Sequence, residues 1–247
     1  MRILFGHQSV GQNIIDGLRE TAASVGAIVS IDDAERTHLS SDVTLMAHFR
    51  VGTNGAPESK IRHFVRTVLS RADQGLDLAL FKFCYVDIVN ENDVQELFSL
   101  YSDTLDRLQA TVASTAIGHV TVPLRAPRRG VLSALRRWRS GEDSEDVRNR
   151  ARHRFNEHIR ERYARTGLLF DLAAAESGEP LSATKTTITA GIPALRRDYT
   201  TDGGHLNAAG RAAIAAGFVQ FLDGVRSRLR NKIRTESVRA EMIDRGM

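Results

Sequence analysis

Near its start the chain reads Ile3-Leu4-Phe5-Gly6-His7-Gln8-Ser9-Val10-Gly11. Residues 2–6 have the composition of a buried strand. From Val10 onward the apolar positions Ile14, Ile15, Leu18, Ala22 and Val25 fall on one helical face. Ser9 therefore sits in a tight strand-to-helix turn. Its hydroxyl lies at the carboxyl end of a strand and its backbone N–H at a helix N-terminus. The first can attack an electrophile, and the second can stabilise an oxyanion. The alternative is that Ser9 simply caps the helix, for which serine is a favoured residue.

The rest of the chain alternates in the same way. Ala27 to Ile31 reads as a second strand and residues 32–42 as a polar loop, while Val43 to Phe49 suits either a strand or irregular chain. Gly52-Thr53-Asn54-Gly55-Ala56-Pro57 marks a loop, and Pro57 suits the first turn of a helix whose buried face is Ile61, Phe64, Val65, Val68 and Leu69. Leu76 to Tyr85 is the longest strand candidate, apolar enough to be covered on both sides, with Lys82 as an unusual interruption. Asp93 to about Val112 is an amphipathic helix, and His119 to Leu124 a strand. A helix then carries Val147, Ala151, Phe155, Ile159 and Tyr163, and Leu168 to Leu172 forms the last strand. Residues 177–201 are irregular, and a final helix begins near Asn207. Strands alternating with helices imply an α/β fold: a three-layer α/β/α sandwich around a mostly parallel, flavodoxin-like sheet of about five strands. We read residues 1–232 as one domain and 233–247 as a basic C-terminal tail. Sites in such sheets lie beyond the carboxyl ends of the strands.

The net charge is +4, and the whole excess lies in the last stretch, where Arg226, Arg228, Arg230, Lys232, Arg234, Arg239 and Arg245 face only Glu236, Glu241 and Asp244. A solvated helix end explains this more simply than a nucleic-acid partner. A single cysteine, Cys84, allows no intrachain disulfide and no cysteine-based metal site. No signal peptide and no run of membrane-spanning length is evident, so the expected location is cytoplasmic. Residues 125–141 hold six arginines, no acid, and Trp138. They read as a solvated loop, with a lid that favours anionic substrates or a membrane-surface contact as the functional alternatives. Gly210, Gly217 and Gly224 recur every seven residues in the last helix. That stripe needs a reason, either close packing within the chain or a homodimer contact.

Just before the last helix stands Thr201-Asp202-Gly203-Gly204-His205-Leu206-Asn207. The two glycines let the chain turn so that the Asp202 carboxylate can reach the His205 Nδ1–H. Nε2 is then free to take a proton from a hydroxyl, as in the base-and-orienter half of a serine triad. An aspartate capping a turn beside an ordinary exposed histidine is the structural alternative. The topology brings this loop and the Ser9 turn to the same sheet edge.

Together, Gly6-His7-Gln8-Ser9-Val10 and Asp202-Gly203-Gly204-His205 resemble the SGNH/GDSL hydrolase superfamily of esterases and lipases. The resemblance implies a serine nucleophile at Ser9, His205 as general base, Asp202 as its orienting group, and no cofactor or metal. It also implies an oxyanion hole made by the Ser9 N–H, a glycine N–H, which Gly52 fits, and an asparagine. Two departures stand out. His7 and Gln8 replace the usual aspartate between glycine and serine. Where an asparagine block is expected, the chain reads Cys84-Tyr85-Val86-Asp87. Asn54 is the substitute donor we name. His7 points either into the pocket, as a substrate-binding residue, or into the core. Lys60, Lys82 and Asp87 are weaker pocket candidates, better explained as ordinary ion-pair or surface groups. The resulting expectation is a carboxylic-ester hydrolase acting on a small O-acyl group of a carbohydrate or natural product. An acyltransferase with the same triad, or a non-catalytic binding domain, is the alternative.

Overall fold

The computed structural model describes residues 1–21, 26–31, 44–127, 144–178 and 192–244. Its centre is a six-stranded sheet in which every pairing is parallel. The strands are β1 (Arg2–His7), β2 (Ala27–Ser30), β3 (Leu45–Arg50), β4 (Leu78–Phe81), β5 (Ala116–Val120) and β6 (Leu169–Phe170), in the spatial order β2-β3-β1-β4-β5-β6. From β3 to β6 the order is that of a flavodoxin-like doubly wound sheet, with β2 added outside β3.

The helices are α1 (Val10–Glu20), α2 (Pro57–Leu69), α3 (Val94–Thr111), α4 (Ser144–Tyr163), α5 (Leu172–Ser177) and α6 (Ala208–Asp244). They cover both faces, because successive strand residues point to opposite sides. Leu4, Ala79 and Phe81 pack with Phe64 of α2, Leu105 of α3 and Phe155 of α4. Ile3, Phe5, Leu78 and Leu80 pack with Ile14 of α1 and with Phe218 and Leu222 of α6. Strands buried on both faces read as continuous apolar runs, which is why β1 and β4 stand out in the sequence.

Four details differ from expectation. The ambiguous stretch before Gly52 is a strand, β3, paired directly with β1, so the sheet has six strands rather than about five. The long run Leu76 to Tyr85 pairs only through Leu78–Phe81, because the Asp87 carboxylate draws the Cys84 N–H (2.6 Å) and turns the chain away. β5 begins and ends earlier than expected, and residues 121–124 run on as buried extended chain. Side chains take over the ladder there: the Asn156 amide holds both Val122 N–H (2.7 Å) and Val122 C=O (2.9 Å), and Glu176 accepts from Leu124 N–H (2.7 Å). Finally, α1 ends at Glu20, with Ala22 and Val25 outside the described residues, and α6 runs unbroken past residue 232.

Candidate active site

Ser9 stands between β1 and α1 with φ 46° and ψ −105°, and it is the one non-glycine residue with positive φ among the described residues. Such a backbone costs on the order of 1–3 kcal/mol and persists only where its surroundings enforce it. Gln8 does part of this, its Nε2 donating to the carbonyls of Val51 (3.1 Å) and Gly52 (3.0 Å) and so tying the turn to the neighbouring loop. The Ser9 side chain makes no capping bond to α1. Its Oγ instead lies 2.7 Å from His205 Nε2.

His205 is held from the other side. Asp202 Oδ2 is 2.6 Å from His205 Nδ1, while Oδ1 accepts the backbone N–H groups of Gly204 and His205, each at 2.8 Å. This tight loop needs Gly203 at φ 81°. The loop is moored to α1, since Leu206 N–H donates to Asn13 Oδ1 (3.0 Å), and Asn207 Oδ1 caps α6 by accepting from Gly210 N–H (3.0 Å). Partial burial alone would raise the Asp202 carboxyl. The hydrogen bonds from the His205 ring and from the backbone N–H groups of His205 and Gly204 outweigh it and hold Asp202 well below the carboxylate range. The His205 and Asp202 side chains are 47% and 54% exposed, so the arrangement opens to solvent. In this geometry Ser9 can pass its proton to Nε2 while the aspartate stabilises the charged ring.

The loop after β3 is built on a buried ion pair. Lys60 Nζ is 2.5 Å from Asp87 Oδ2 and 2.8 Å from Asn54 Oδ1, and both charged side chains are fully buried. Asp87 also accepts Gly55 N–H (2.8 Å), so one carboxylate fastens both the Gly52–Pro57 loop and the turn after β4. Because Asn54 Oδ1 accepts from Lys60, its amide Nδ2 is left as a donor. Gly52 has φ 51°, and a Cβ there would come within 2.7 Å of Lys60 Cα, so only glycine fits. Its N–H, however, donates to His63 Nδ1 (3.0 Å). This corrects the expectation that Gly52 N–H is a free oxyanion donor, for its hydrogen is already placed.

His7 is also corrected. It is 1% exposed, with Nε2 3.1 Å from His48 Nδ1 and its ring 5.0 Å from Phe5, so it offers no surface to a substrate. Strand alternation turns it inward against Gly11, where any Cβ would overlap the His7 side chain. Burial lowers its pKa to about 3, with His48, Lys82 and Arg50 adding to the effect. Lys82 is fully buried, its Nζ donating to Phe83 C=O (2.9 Å); burial pushes it down and pushes its fully buried neighbour Glu176 up to about 8.

One residue escaped the sequence reading. Tyr85, half buried at the end of the β4 run, lies 6.2 Å from the His205 ring, edge to face. Arg125 lies 5.1 Å and Arg152 5.7 Å from its ring centroid. The available signal was its position, in the block where an asparagine was missing. Of the arginine-rich stretch 125–141, residues 128–141, with Trp138, lie outside the described residues. The glycine stripe of α6 is not uniform: a Cβ at Gly210 would press on Tyr199 C=O (2.6 Å), whereas Gly224 faces open space. Among the described residues no group of three or more His, Cys, Asp or Glu is placed to hold a metal ion, and no helix is long and apolar enough to cross a membrane.

No family model matches the chain, and no curated protein matches it. Solved structures do. A lipase/acylhydrolase from Enterococcus faecalis is 15% identical, with a TM-score of 0.48, over 90% of this chain and 95% of that one. A phospholipase A1 from Streptomyces albidoflavus is 16% identical, with a TM-score of 0.41, over 90% and 97%. A peptidoglycan O-acetylesterase is 17% identical, with a TM-score of 0.45, over 75% of this chain but only 47% of its own. These are likenesses of fold. The parallel three-layer architecture implied by the SGNH/GDSL resemblance is the one the chain has.

Proposed function

We propose that the chain is a carboxylic-ester hydrolase of SGNH/GDSL type that works through an acyl-Ser9 intermediate. The supporting observation is the continuous hydrogen-bond chain from Ser9 Oγ through His205 to Asp202, joining residues 196 apart in sequence. Ser9 Oγ attacks the acyl carbon while its proton passes to His205 Nε2, and the carbonyl π pair moves onto oxygen. Collapse breaks the bond to the alcohol, which leaves with the proton from Nε2. Water then repeats the sequence with His205 as base, releasing the acid and restoring Ser9. Ser9 N–H, at the start of α1, and Asn54 Nδ2 are the oxyanion donors of this reading, and no cofactor enters.

For substrate we infer a small O-acyl group on a carbohydrate or natural product. Beside Asp202 lies a polar cavity of about 240 Å³ lined by Arg125, Arg197, Thr200 and Thr201 among others, which suits a hydroxylated alcohol better than an acyl chain. Treatment with a fluorophosphonate followed by mass spectrometry tests the mechanism: Ser9 should carry the label. Ser9→Ala should lose short-chain esterase activity by on the order of 10⁴-fold or more. Full activity in that variant, or a label elsewhere, refutes the reading.

A further inference from the structure

We propose that Asn13 is a positioning residue of this site: its carboxamide, on α1, sets the gap between Ser9 and His205. The assignment rests on the hydrolase reading above.

The bonds between Asp202 and His205 lie within one short loop. They orient the imidazole against its carboxylate, but they do not fix where the loop stands relative to Ser9. Ser9 Oγ and His205 Nε2, 2.7 Å apart, belong to stretches 196 residues apart in the chain. Proton transfer needs that gap held, since a misplacement of about 1 Å can cost about a hundredfold in rate. The register must come from contacts between the loop and α1.

α1 supplies them as a stripe. Asn13, Gly17 and Glu20 follow Ser9 at spacings of four, four and three, which keeps them on one side of the helix. They meet the chain beyond His205 in the same order. Asn13 Oδ1 accepts the Leu206 N–H (3.0 Å). Gly17 lets the Arg211 carbonyl come close, for a Cβ there would lie 2.5 Å from that oxygen. Glu20 pairs with the Arg211 guanidinium (2.8 Å). Asn13 is the rung nearest the chemistry. It stands one helical turn after the nucleophile, and its bond ends on the peptide that joins His205 to Leu206. The bond is also sheltered: Leu206 is 3% exposed, and its side chain shares one core with Val10 and Ile14. The far end of the loop is held separately, Gly203 C=O accepting Ala126 N–H (3.0 Å) and Arg125 Nε (3.3 Å). Asn13 thus governs the base end of the loop, where the distance to Ser9 is decided.

Asn13→Ala tests the assignment, because it removes the acceptor and leaves all three triad side chains in place. With p-nitrophenyl acetate, kcat should fall about a hundredfold with KM changed by less than about threefold. Asn13→Asp returns an Oδ1 acceptor and should recover kcat to within about fivefold of wild type. Glu20→Gln loosens the last rung of the same stripe and should keep kcat within about threefold. Circular dichroism shows whether each chain is folded. If Asn13→Ala is not, Asn13→Gln, which carries the amide one methylene further out, takes its place with the same expected loss. A folded variant of that test with kcat within threefold of a competent wild type overturns the assignment and leaves the triad standing. An equal loss in Asn13→Asp or in Glu20→Gln overturns it too, because the effect would then belong to general packing. A wild-type chain that neither labels at Ser9 with a fluorophosphonate nor turns over the ester overturns the hydrolase reading, and this assignment with it.

Discussion

The two sides of the site are built from opposite materials. On one side His205 and Asp202 are about half exposed and are held by a four-residue loop and backbone N–H groups. On the other, Asn54 and the turn around Tyr85 hang from Lys60 and Asp87, whose side chains are fully buried. Local hydrogen bonds are enough for the first side because its partners are close in sequence. The second side joins Lys60 of α2 to Asp87 in the turn after β4, 27 residues on, through a short, desolvated contact. The difference implies a division of labour. Under the proposed hydrolase reading, the exposed side is the one for proton transfer and contributes little to stability, while the buried side carries stability and holds the loop of the proposed oxyanion donor Asn54.

The sharpest way to break that division is to cut each side in turn. Lys60→Met leaves the Asp87 carboxylate buried without its cation. Breaking such a pair costs about 3–5 kcal/mol. For a chain of this size the thermal midpoint should fall by roughly 6–20 °C. His205→Ala should abolish ester turnover while moving that midpoint by no more than about 2 °C, since only exposed contacts are lost. Calorimetry on both variants decides the matter. Equal thermal losses would show that the two sides are one structural unit.

The same contrast explains what could be read from the chain alone. Ser9, His205 and Asp202 were legible because local rules place them: a strand-to-helix turn, and a carboxylate three residues from an imidazole with glycines between. The doubly wound order was legible from alternation of apolar runs. β3 was not, because a run ending in His48, Phe49 and Arg50 mixes buried and exposed positions, and its place beside β1 depends on pairing across the chain. The fates of Gly52 and His7 were hidden for a similar reason. A glycine in a loop does not announce that His63, on the next helix, accepts its N–H. Nor does a histidine at a strand end announce that the glycine four residues on lets it fold inward. Asn156, a polar residue in a helix, is buried and replaces a strand for Val122. Such roles depend on the partner, and composition and periodicity carry no information about partners.

Asn54 sharpens the comparison, because it belongs to the buried network through Oδ1 and, in the proposed reading, to the reaction through Nδ2. Asn54→Ala should lower kcat about a hundredfold, the cost of one oxyanion donor. It should cost only about 1 kcal/mol in stability, since solvent at this exposed position can satisfy Lys60 Nζ in its place. Steady-state kinetics beside a denaturant titration separates the two terms. A variant with normal kcat and lowered stability would make Asn54 a structural tether only. The oxyanion of the proposed reaction would then depend on Ser9 N–H.

Acid should act on the fold through its buried histidines. His119 hydrogen-bonds Tyr101 (2.8 Å), stacks on Tyr163 and feels Asp106 and Arg162; burial lowers its pKa to about 3. His7, facing His48, Lys82 and Arg50, is lowered to about 3 by the same cause. Both stay neutral in the folded chain, whereas in the unfolded chain each takes up a proton near the ordinary histidine value of about 6.5. Between those values the unfolded state binds more protons, so stability is greatest above about pH 6.5 and drains away as the pH falls toward 3. Denaturant midpoints measured from pH 7 to pH 5 should therefore decline steadily. His119→Gln keeps a hydrogen-bonding group for Tyr101 and removes one of the two protons, and it should roughly halve the slope contributed by this pair. A slope that stayed the same in His119→Gln would contradict the assignment of acid sensitivity to the buried pair.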